Sequence, residues 1–108
     1  MPCFNLTLAK KNTVYNLEQM IKDQYDIDTP GYEAVASMWP EITVQSSPDN
    51  AVLIKYGDLN LSGIRYGRTI SPGEVIKWGG GTKFIGTRDK NFLCEEADNV
   101  SISVELAG

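Results

Sequence analysis

The pattern of apolar and polar residues predicts short β-strands at both ends of the chain and in its middle. Near the N terminus, Phe4, Leu6 and Leu8 alternate with polar residues, as in a strand with one buried face. The clearest alternation lies at the C-terminal end, where every second residue is apolar: Val100, Ile102, Val104 and Leu106. β-branched and aromatic runs predict further strands at 42–46, 52–56, 75–78 and 92–94.

The spacing of apolar residues becomes helical between these strands. We predict a helix of two to three turns within 12–25, because apolar residues recur at helical spacing: Leu17, Met20 and Ile21. Asn16 and Gln19 stand three residues apart and form a plausible capping pair at its start. Residues 32–40 fit either a helical turn or an extended segment, and Pro40 favours an extended Trp39.

The order of these elements predicts one domain. Ser71-Pro72-Gly73-Glu74 is a turn signal that opens the strand at 75–78. At 108 residues the chain has the usual size of a single domain. It divides into an N-terminal strand or arm (1–11), a helix (12–25) and β-sandwich strands (41–108). The predicted fold is mainly β: a single β-sandwich or jelly-roll-like domain with one short N-terminal helix.

Charge and composition exclude several classes of partner. The net charge is −4, from 14 acidic and 10 basic residues, which argues against a nucleic-acid backbone as the main partner. No apolar run approaches the roughly 20 residues that span a bilayer, so we expect no membrane partner. The first residues lack the pattern of a signal peptide, and Cys3 and Cys94 are expected to be free thiols in a cytosolic product.

The residues that usually carry catalysis are sparse. The chain has no histidine, which removes the commonest general base and metal ligand, and its carboxylates fall in no recognisable catalytic or calcium-binding motif. The triple glycine at 79–81 lacks the Lys-Ser/Thr pair of a phosphate loop, so we predict a turn between strands there. We therefore expect no enzymatic activity and no cofactor, with neither a metal nor a nucleotide bound.

The central stretch carries a resemblance to a known class of proteins. Residues 54–62, IKYGDLNLS, are followed by Tyr66-Gly67 and by the turn at 71–74. This order resembles small β-structured proteins of tailed-bacteriophage particles, in which a strand ends at a Gly-Asp step and a Pro-Gly-Glu turn opens the next strand. Residues 9–17, AKKNTVYNL, resemble the start of the only helix in such proteins, so the likeness covers most of the chain. The triple glycine, the long connection over 26–40 and Cys94 depart from the pattern.

The resemblance implies a virion structural protein, made in the host cytoplasm and located in the virion. It points to a capsid cement or decoration protein on the head exterior, with a neck or tail accessory protein as the alternative. The implied partners are the major capsid protein or other virion proteins. The resemblance also implies a homo-oligomer, with a trimer favoured.

We predict two contact regions for such a partner. The first is the N-terminal strand, through Phe4, Leu6 and Leu8, because a terminal strand can add to a neighbour's sheet. The second is the loop after the strand at 52–56, whose apolar side chains are flanked by polar ones: Asp58, Leu59, Leu61, Ile64 and Tyr66. The apolar loop residues fit the domain's own core equally well.

Two other functional classes remain as alternatives, a carbohydrate-binding module and a small enzyme. A carbohydrate-binding module would expose aromatic platforms, for which the candidates are Trp39, Tyr56, Tyr66 and Trp78. A small enzyme ranks third and would need a concave pocket with convergent polar groups.

Overall fold

The computed structural model describes residues 3–25, 38–58, 61, 67–80 and 84–107. Within these ranges the chain forms ten strands and one helix. In chain order they are β1 (Cys3–Leu8), β2 (Thr13–Asn16), α1 (Leu17–Gln24), β3 (Met38–Trp39), β4 (Glu41–Ser46), β5 (Ile54–Gly57), β6 (Arg68–Ile70), β7 (Val75–Gly79), β8 (Ile85–Gly86), β9 (Asn91–Cys94) and β10 (Val100–Ala107).

The strands form two four-stranded antiparallel sheets and a two-stranded ribbon. The first sheet, which we call sheet A, has the strand order β1-β10-β4-β7, and sheet B has the order β2-β9-β5-β6. Strands β3 and β8 pair separately. The prediction of a mainly β, sandwich-like domain with one short helix is confirmed.

The alternation seen in the sequence places one face of sheet A in the core. Leu6 lies opposite Ile102 across the β1–β10 pair, and Val104 lies opposite Val44 across the β10–β4 pair. All four are buried and share one core cluster with residues of sheet B, among them Ile54 and Phe92. Period-2 patterning thus fixes which face of each strand is inside.

The helix occupies the second part of the predicted range 12–25. Residues 13–16 form β2, paired with β9, and the helix starts at Leu17. Asn12 has a left-handed φ of 58° and donates its N–H to the Cys94 carbonyl at 2.8 Å, which starts the strand pairing. Asn16 is extended, and its side chain accepts the Gln19 N–H at 3.1 Å, so the predicted capping pair is present and sets the helix start.

The helix fills one side of the sandwich. Its apolar face consists of buried residues of the core cluster: Leu17, Met20 and Ile21. The helix packs against β1 and β2, the strands at one end of each sheet. A short amphipathic helix is marginal alone, so this packing provides most of its stability.

The Pro-Gly turn connects the two sheets at the opposite side. It runs from β6 in sheet B to β7 in sheet A, and the Glu74 N–H bonds the Ser71 carbonyl at 2.9 Å. Gly73 has a φ of 79°, which the third position of such a turn requires of the backbone. Its N–H also bonds the Ser46 carbonyl at 2.9 Å and ties the turn to β4.

Candidate interaction surfaces

The side chains predicted as the first contact lie inside the domain. Phe4, Leu6 and Leu8 are 6%, 0% and 0% exposed and face the core from β1. A partner could contact them only if β1 left its own sheet and were exchanged with another subunit. That contact therefore remains a prediction about an assembled state.

The backbone at the outer edge of β1 is also occupied. The Thr7 N–H donates to Gln24 Oε1 at 2.8 Å, and Gln24 Nε2 donates to the Thr7 carbonyl at 2.8 Å. The Asn5 N–H donates to the Tyr25 hydroxyl at 2.7 Å, and that hydroxyl donates to the Asn5 carbonyl at 3.4 Å. Side chains at the end of α1 thus take the positions that a neighbouring strand would otherwise take.

The second predicted contact region is described only at two of its residues. Leu61 is 7% exposed, and its side chain lies beside Gly57. The Asp58 carbonyl accepts the Leu61 N–H at 3.1 Å and the Asn91 side-chain amide at 2.8 Å. Leu61 is therefore part of the domain's own packing, while Leu59, Ile64 and Tyr66 lie outside the described residues.

A group of polar side chains lies at the start of α1. Asn16 Nδ2 donates to the Arg88 carbonyl and, at 3.1 Å, to Asn91 Oδ1. Buried Glu18 accepts from Thr87 Oγ1 at 3.3 Å and from Lys22 Nζ at 3.0 Å. No buried side-chain nitrogen or oxygen in the described part of the chain lacks a hydrogen-bond partner. Such a fully satisfied network orders the fold.

Sequence reasoning identified this group only through Asn16. Glu18 lies in the first turn of the helix, but its partner Thr87 is 69 residues away. That pairing depends on the β2–β9 register, which the chain pattern does not reveal.

The candidate aromatic platforms are engaged within the domain. The Trp78 ring makes edge-to-face contacts with Tyr56 at 5.8 Å and with Phe92 at 6.3 Å between centroids. Lys90 Nζ lies 5.4 Å from the centroid of the same ring. Trp39 packs against the core cluster. This arrangement leaves little ring surface at Trp78 for a sugar, and Tyr66 lies outside the described residues.

The β3–β8 ribbon presents apolar side chains to solvent. Trp39 and Ile85 are opposite each other and pack on the core. Because side chains alternate between faces, Met38 lies on the other face of β3, and Phe84 is the residue just before β8. They are 52% and 60% exposed.

Hydrogen bonds at both ends of the β4–β7 pair show which backbone groups of β7 are free. Gly80 N–H bonds the Pro40 carbonyl at 3.1 Å, and Ser46 N–H bonds the Glu74 carbonyl at 3.1 Å. In the same register, even-numbered residues of β7 bond β4, so Val75 and Lys77 direct their N–H and C=O groups to the outside. Within the described residues, no hydrogen bond is made to these four groups.

The described residues contain no cluster of three or more potential metal ligands of the His, Cys, Asp or Glu type. No helix in the same ranges is both long and apolar enough to cross a membrane. Comparison with known proteins found no matching family, no matching curated protein and no matching solved structure.

Proposed function

We propose that this protein is a structural component of a bacteriophage particle, a capsid cement or decoration protein that binds the head exterior and stabilises it. The order of motifs over 54–74 supports the proposal by its resemblance to small virion proteins. On the surface, the supporting observation is the distribution of exposed apolar side chains.

Several large apolar residues are exposed at separate places on the domain. Exposed fractions of 43% to 60% are found at Val14, Met38, Leu53, Val75 and Phe84. They belong to β2, β3, the segments just before β5 and β8, and β7. Scattered apolar contacts of this kind suit a protein that bridges neighbouring subunits of a lattice at several points.

The stabilising mechanism would be mass action. A protein that binds the assembled lattice but not its dissociated subunits stabilises the lattice by its binding free energy. Burying one Phe side chain such as Phe84 contributes about 1.5 to 3 kcal/mol, so a few contacts per copy suffice when many copies bind. The expected partner is the major capsid protein, and a trimer or another cyclic oligomer would match the symmetry of such a lattice.

The neck or tail role uses the same kind of contact at a single place on the particle. A carbohydrate-binding role is less favoured, because the Trp78 ring is engaged by Tyr56, Phe92 and Lys90.

The test is to add the purified protein to heads stripped of it and to count copies by cryo-electron microscopy. Regular density over the capsid surface is the expected result, together with a higher temperature of head disruption. Density at one vertex only would move the assignment to the neck or tail. The absence of bound protein would end the virion proposal.

A pair of variants shows which surface binds. We expect Phe84→Ser to reduce occupancy about tenfold, since the loss of one buried Phe contact reaches the 1.4 kcal/mol that corresponds to that factor. Val14→Ser makes the corresponding change at a second exposed apolar residue, on β2, and tests that contact in the same way. Occupancy of Phe84→Ser equal to that of the wild type at subsaturating protein would exclude Phe84 as a contact.

A further inference from the structure

The free edge of β7 is the longest unpaired edge in the described structure. β1 ends the same sheet on the other side, but its outer groups are bonded by Gln24 and Tyr25. Strand β2 bonds β9 through its odd-numbered residues, as the Leu17 N–H to Lys90 carbonyl bond shows. The backbone groups of Val14 and Asn16 are therefore directed outward, and Asn16 is the N-cap of α1. The same alternation, followed from β9 to β5 and from β5 to β6, directs the backbone groups of Thr69 outward. Of these edge strands, only β7 offers two such residues away from a helix, Val75 and Lys77.

We propose that β7 binds an extended segment of a partner protein as an additional strand of sheet A, and that this segment carries an acidic residue opposite Lys77. Strand addition uses backbone hydrogen bonds for affinity and alternate side chains for specificity. The inference concerns the class of partner and does not depend on the virion role.

The two faces of β7 define the chemistry of the segment. Ile76 and Trp78 point into the sandwich and are only half-buried, so the inward side chains of the segment should be apolar. Val75 and Lys77 point outward, and the Lys77 side chain is 55% exposed. Its ion pair with Glu41, at 3.2 Å, is exposed and therefore weak, which leaves Lys77 able to pair with a second carboxylate.

A second copy of this chain fits the edge poorly. The antiparallel self-pairing that aligns all five residues of β7 places Lys77 opposite Lys77 of the other copy. Like charges directly opposite each other destabilise a strand pair. The edge therefore favours a different protein with an acidic, alternating segment.

The test uses the isotope-labelled protein and three synthetic peptides of seven residues. In the first peptide Val alternates with Glu, in the second Val alternates with Lys, and the third is the first with N-methylated Glu, because the Glu N–H groups face β7 in an antiparallel pairing. We expect the Val–Glu peptide to shift the amide resonances of Val75 and Lys77 and to slow their hydrogen exchange. The Val–Lys peptide should bind roughly fivefold more weakly, from the sign of one cross-strand charge pair. The N-methylated peptide should not bind, since it cannot complete the ladder.

Three variants separate this edge from the rest of the surface. Lys77→Glu should reverse the preference between the Val–Glu and Val–Lys peptides, and as an exposed substitution it should leave the fold intact. Val75→Pro should abolish binding, because it removes an outward donor at the first residue of an edge strand, where proline is tolerated. Val14→Pro makes the same change at the β2 edge and should leave peptide binding unchanged. Thermal unfolding of each variant confirms that it is folded.

Three outcomes would overturn the inference. These are no response at Val75 and Lys77 at millimolar Val–Glu peptide, a response at Val14 instead, and an unchanged preference in Lys77→Glu. Concentration-dependent dimerisation of the peptide-free protein that Val75→Pro abolishes would show that a second copy occupies the edge.

Discussion

At the C-terminal end of β7, Gly79 occupies a position where no side chain fits. A Cβ atom there would lie 2.2 Å from the Pro40 carbonyl oxygen and 2.3 Å from Ile85 Cδ1. Its φ is +91°, and the next residue, Gly80, has a φ of +97° but would place its Cβ no closer than 3.8 Å to Glu41. The two glycines thus share a left-handed φ and differ in the room for a side chain. The turn assigned to the triple glycine from the sequence has a specific role at Gly79, which lets the β3–β8 ribbon approach β7.

This difference gives a matched pair of substitutions. Gly79→Ala and Gly80→Ala both put a side chain at a left-handed φ, which costs about 1 to 3 kcal/mol. Gly79→Ala should lose a further 1 to 3 kcal/mol or so, because the new methyl group forces Pro40 and Ile85 to move. Urea unfolding of both variants measures the difference. Equal losses of stability in the two variants would mean that the β3–β8 ribbon can move away from residue 79 without a free-energy cost.

Asn16 combines two roles that substitutions can separate. Its side-chain oxygen caps α1, and its side-chain nitrogen donates to the Arg88 carbonyl and to Asn91. Asn16→Ser keeps a capping acceptor and loses both donated bonds, whereas Asn16→Ala loses all three. We expect Asn16→Ala to be less stable than Asn16→Ser by about 1 kcal/mol, the usual contribution of a cap. Both variants should fall below the wild type by about 1 to 3 kcal/mol, because partly buried acceptors lose their donor. A Ser variant as stable as the wild type would show that only the cap matters.

At the scale of elements, alternation and helical spacing predicted the long elements and missed the short ones. β1, β4, β7, β9 and β10 lie where the sequence placed strands, because each has at least one face that is buried or, in β7, half-buried. β2 was assigned to the helix, although Thr13, Val14 and Tyr15 are β-formers and Asn16 marks the helix start. β3, β6 and β8 have two or three residues each, too few to show any period.

The candidate surfaces depend on strand order, which the sequence pattern does not contain. The amphipathic strand at the N terminus was recognisable, but its partner β10 begins at residue 100. That pairing determines which edge of β1 lies outside. Gln24 and Tyr25 bond the backbone at this outer edge. The open edge of β7 follows from the same long-range order.

The occupied edge of β1 leads to a prediction about self-association. In the double variant Gln24→Ala with Tyr25→Phe, the outer groups of Asn5 and Thr7 lose their partners, while the ring of residue 25 keeps its packing against Phe4. The loss should be about 1 to 3 kcal/mol from the removed hydrogen bonds. The exposed edge should also make the protein associate with rising concentration.

Sedimentation and urea unfolding measure these two effects. Gln19→Ala is the control, since Gln19 lies on the same helix and its side chain bonds only Asp23, at 2.8 Å. If the double variant is monomeric at the highest concentration measured and as stable as the control, Gln24 and Tyr25 do not protect the outer edge of β1.

At the scale of the whole molecule, the two sides of the sandwich differ. On one side α1 covers the β1 and β2 ends and bonds the outer edge of β1. On the other side the Pro-Gly turn joins β6 to β7 and leaves the β7 backbone free. Strand addition by a partner is therefore expected on the β7 side, and a contact through β1 requires β1 to leave its sheet.

A cross-link distinguishes a resident β1 from an exchanged one. Cys3 lies opposite Glu105 in the β1–β10 pair, and both residues are exposed. The neighbouring odd-numbered residues of β1 direct their backbone groups to the outer edge, so Cys3 and Glu105 form a non-hydrogen-bonded pair. Cα atoms in such pairs are about 4.5 Å apart, a distance that a disulfide can span. Glu105→Cys should therefore oxidise with Cys3, while Cys94 is buried and does not compete.

We expect the oxidised Glu105→Cys protein to run as a monomer on a non-reducing gel, since β1 belongs to the sheet of its own chain. Glu105→Ser is the control that cannot form the cross-link. A covalent dimer would instead show that β1 is exchanged between copies, the arrangement in which Phe4, Leu6 and Leu8 contact another subunit. The same protein tests the assembled state, because a disulfide that holds β1 in place blocks exchange without altering the exposed ribbon or the β7 edge. Undiminished binding of the locked monomer to stripped heads would exclude the β1 contact, and binding that returns only after reduction would establish it.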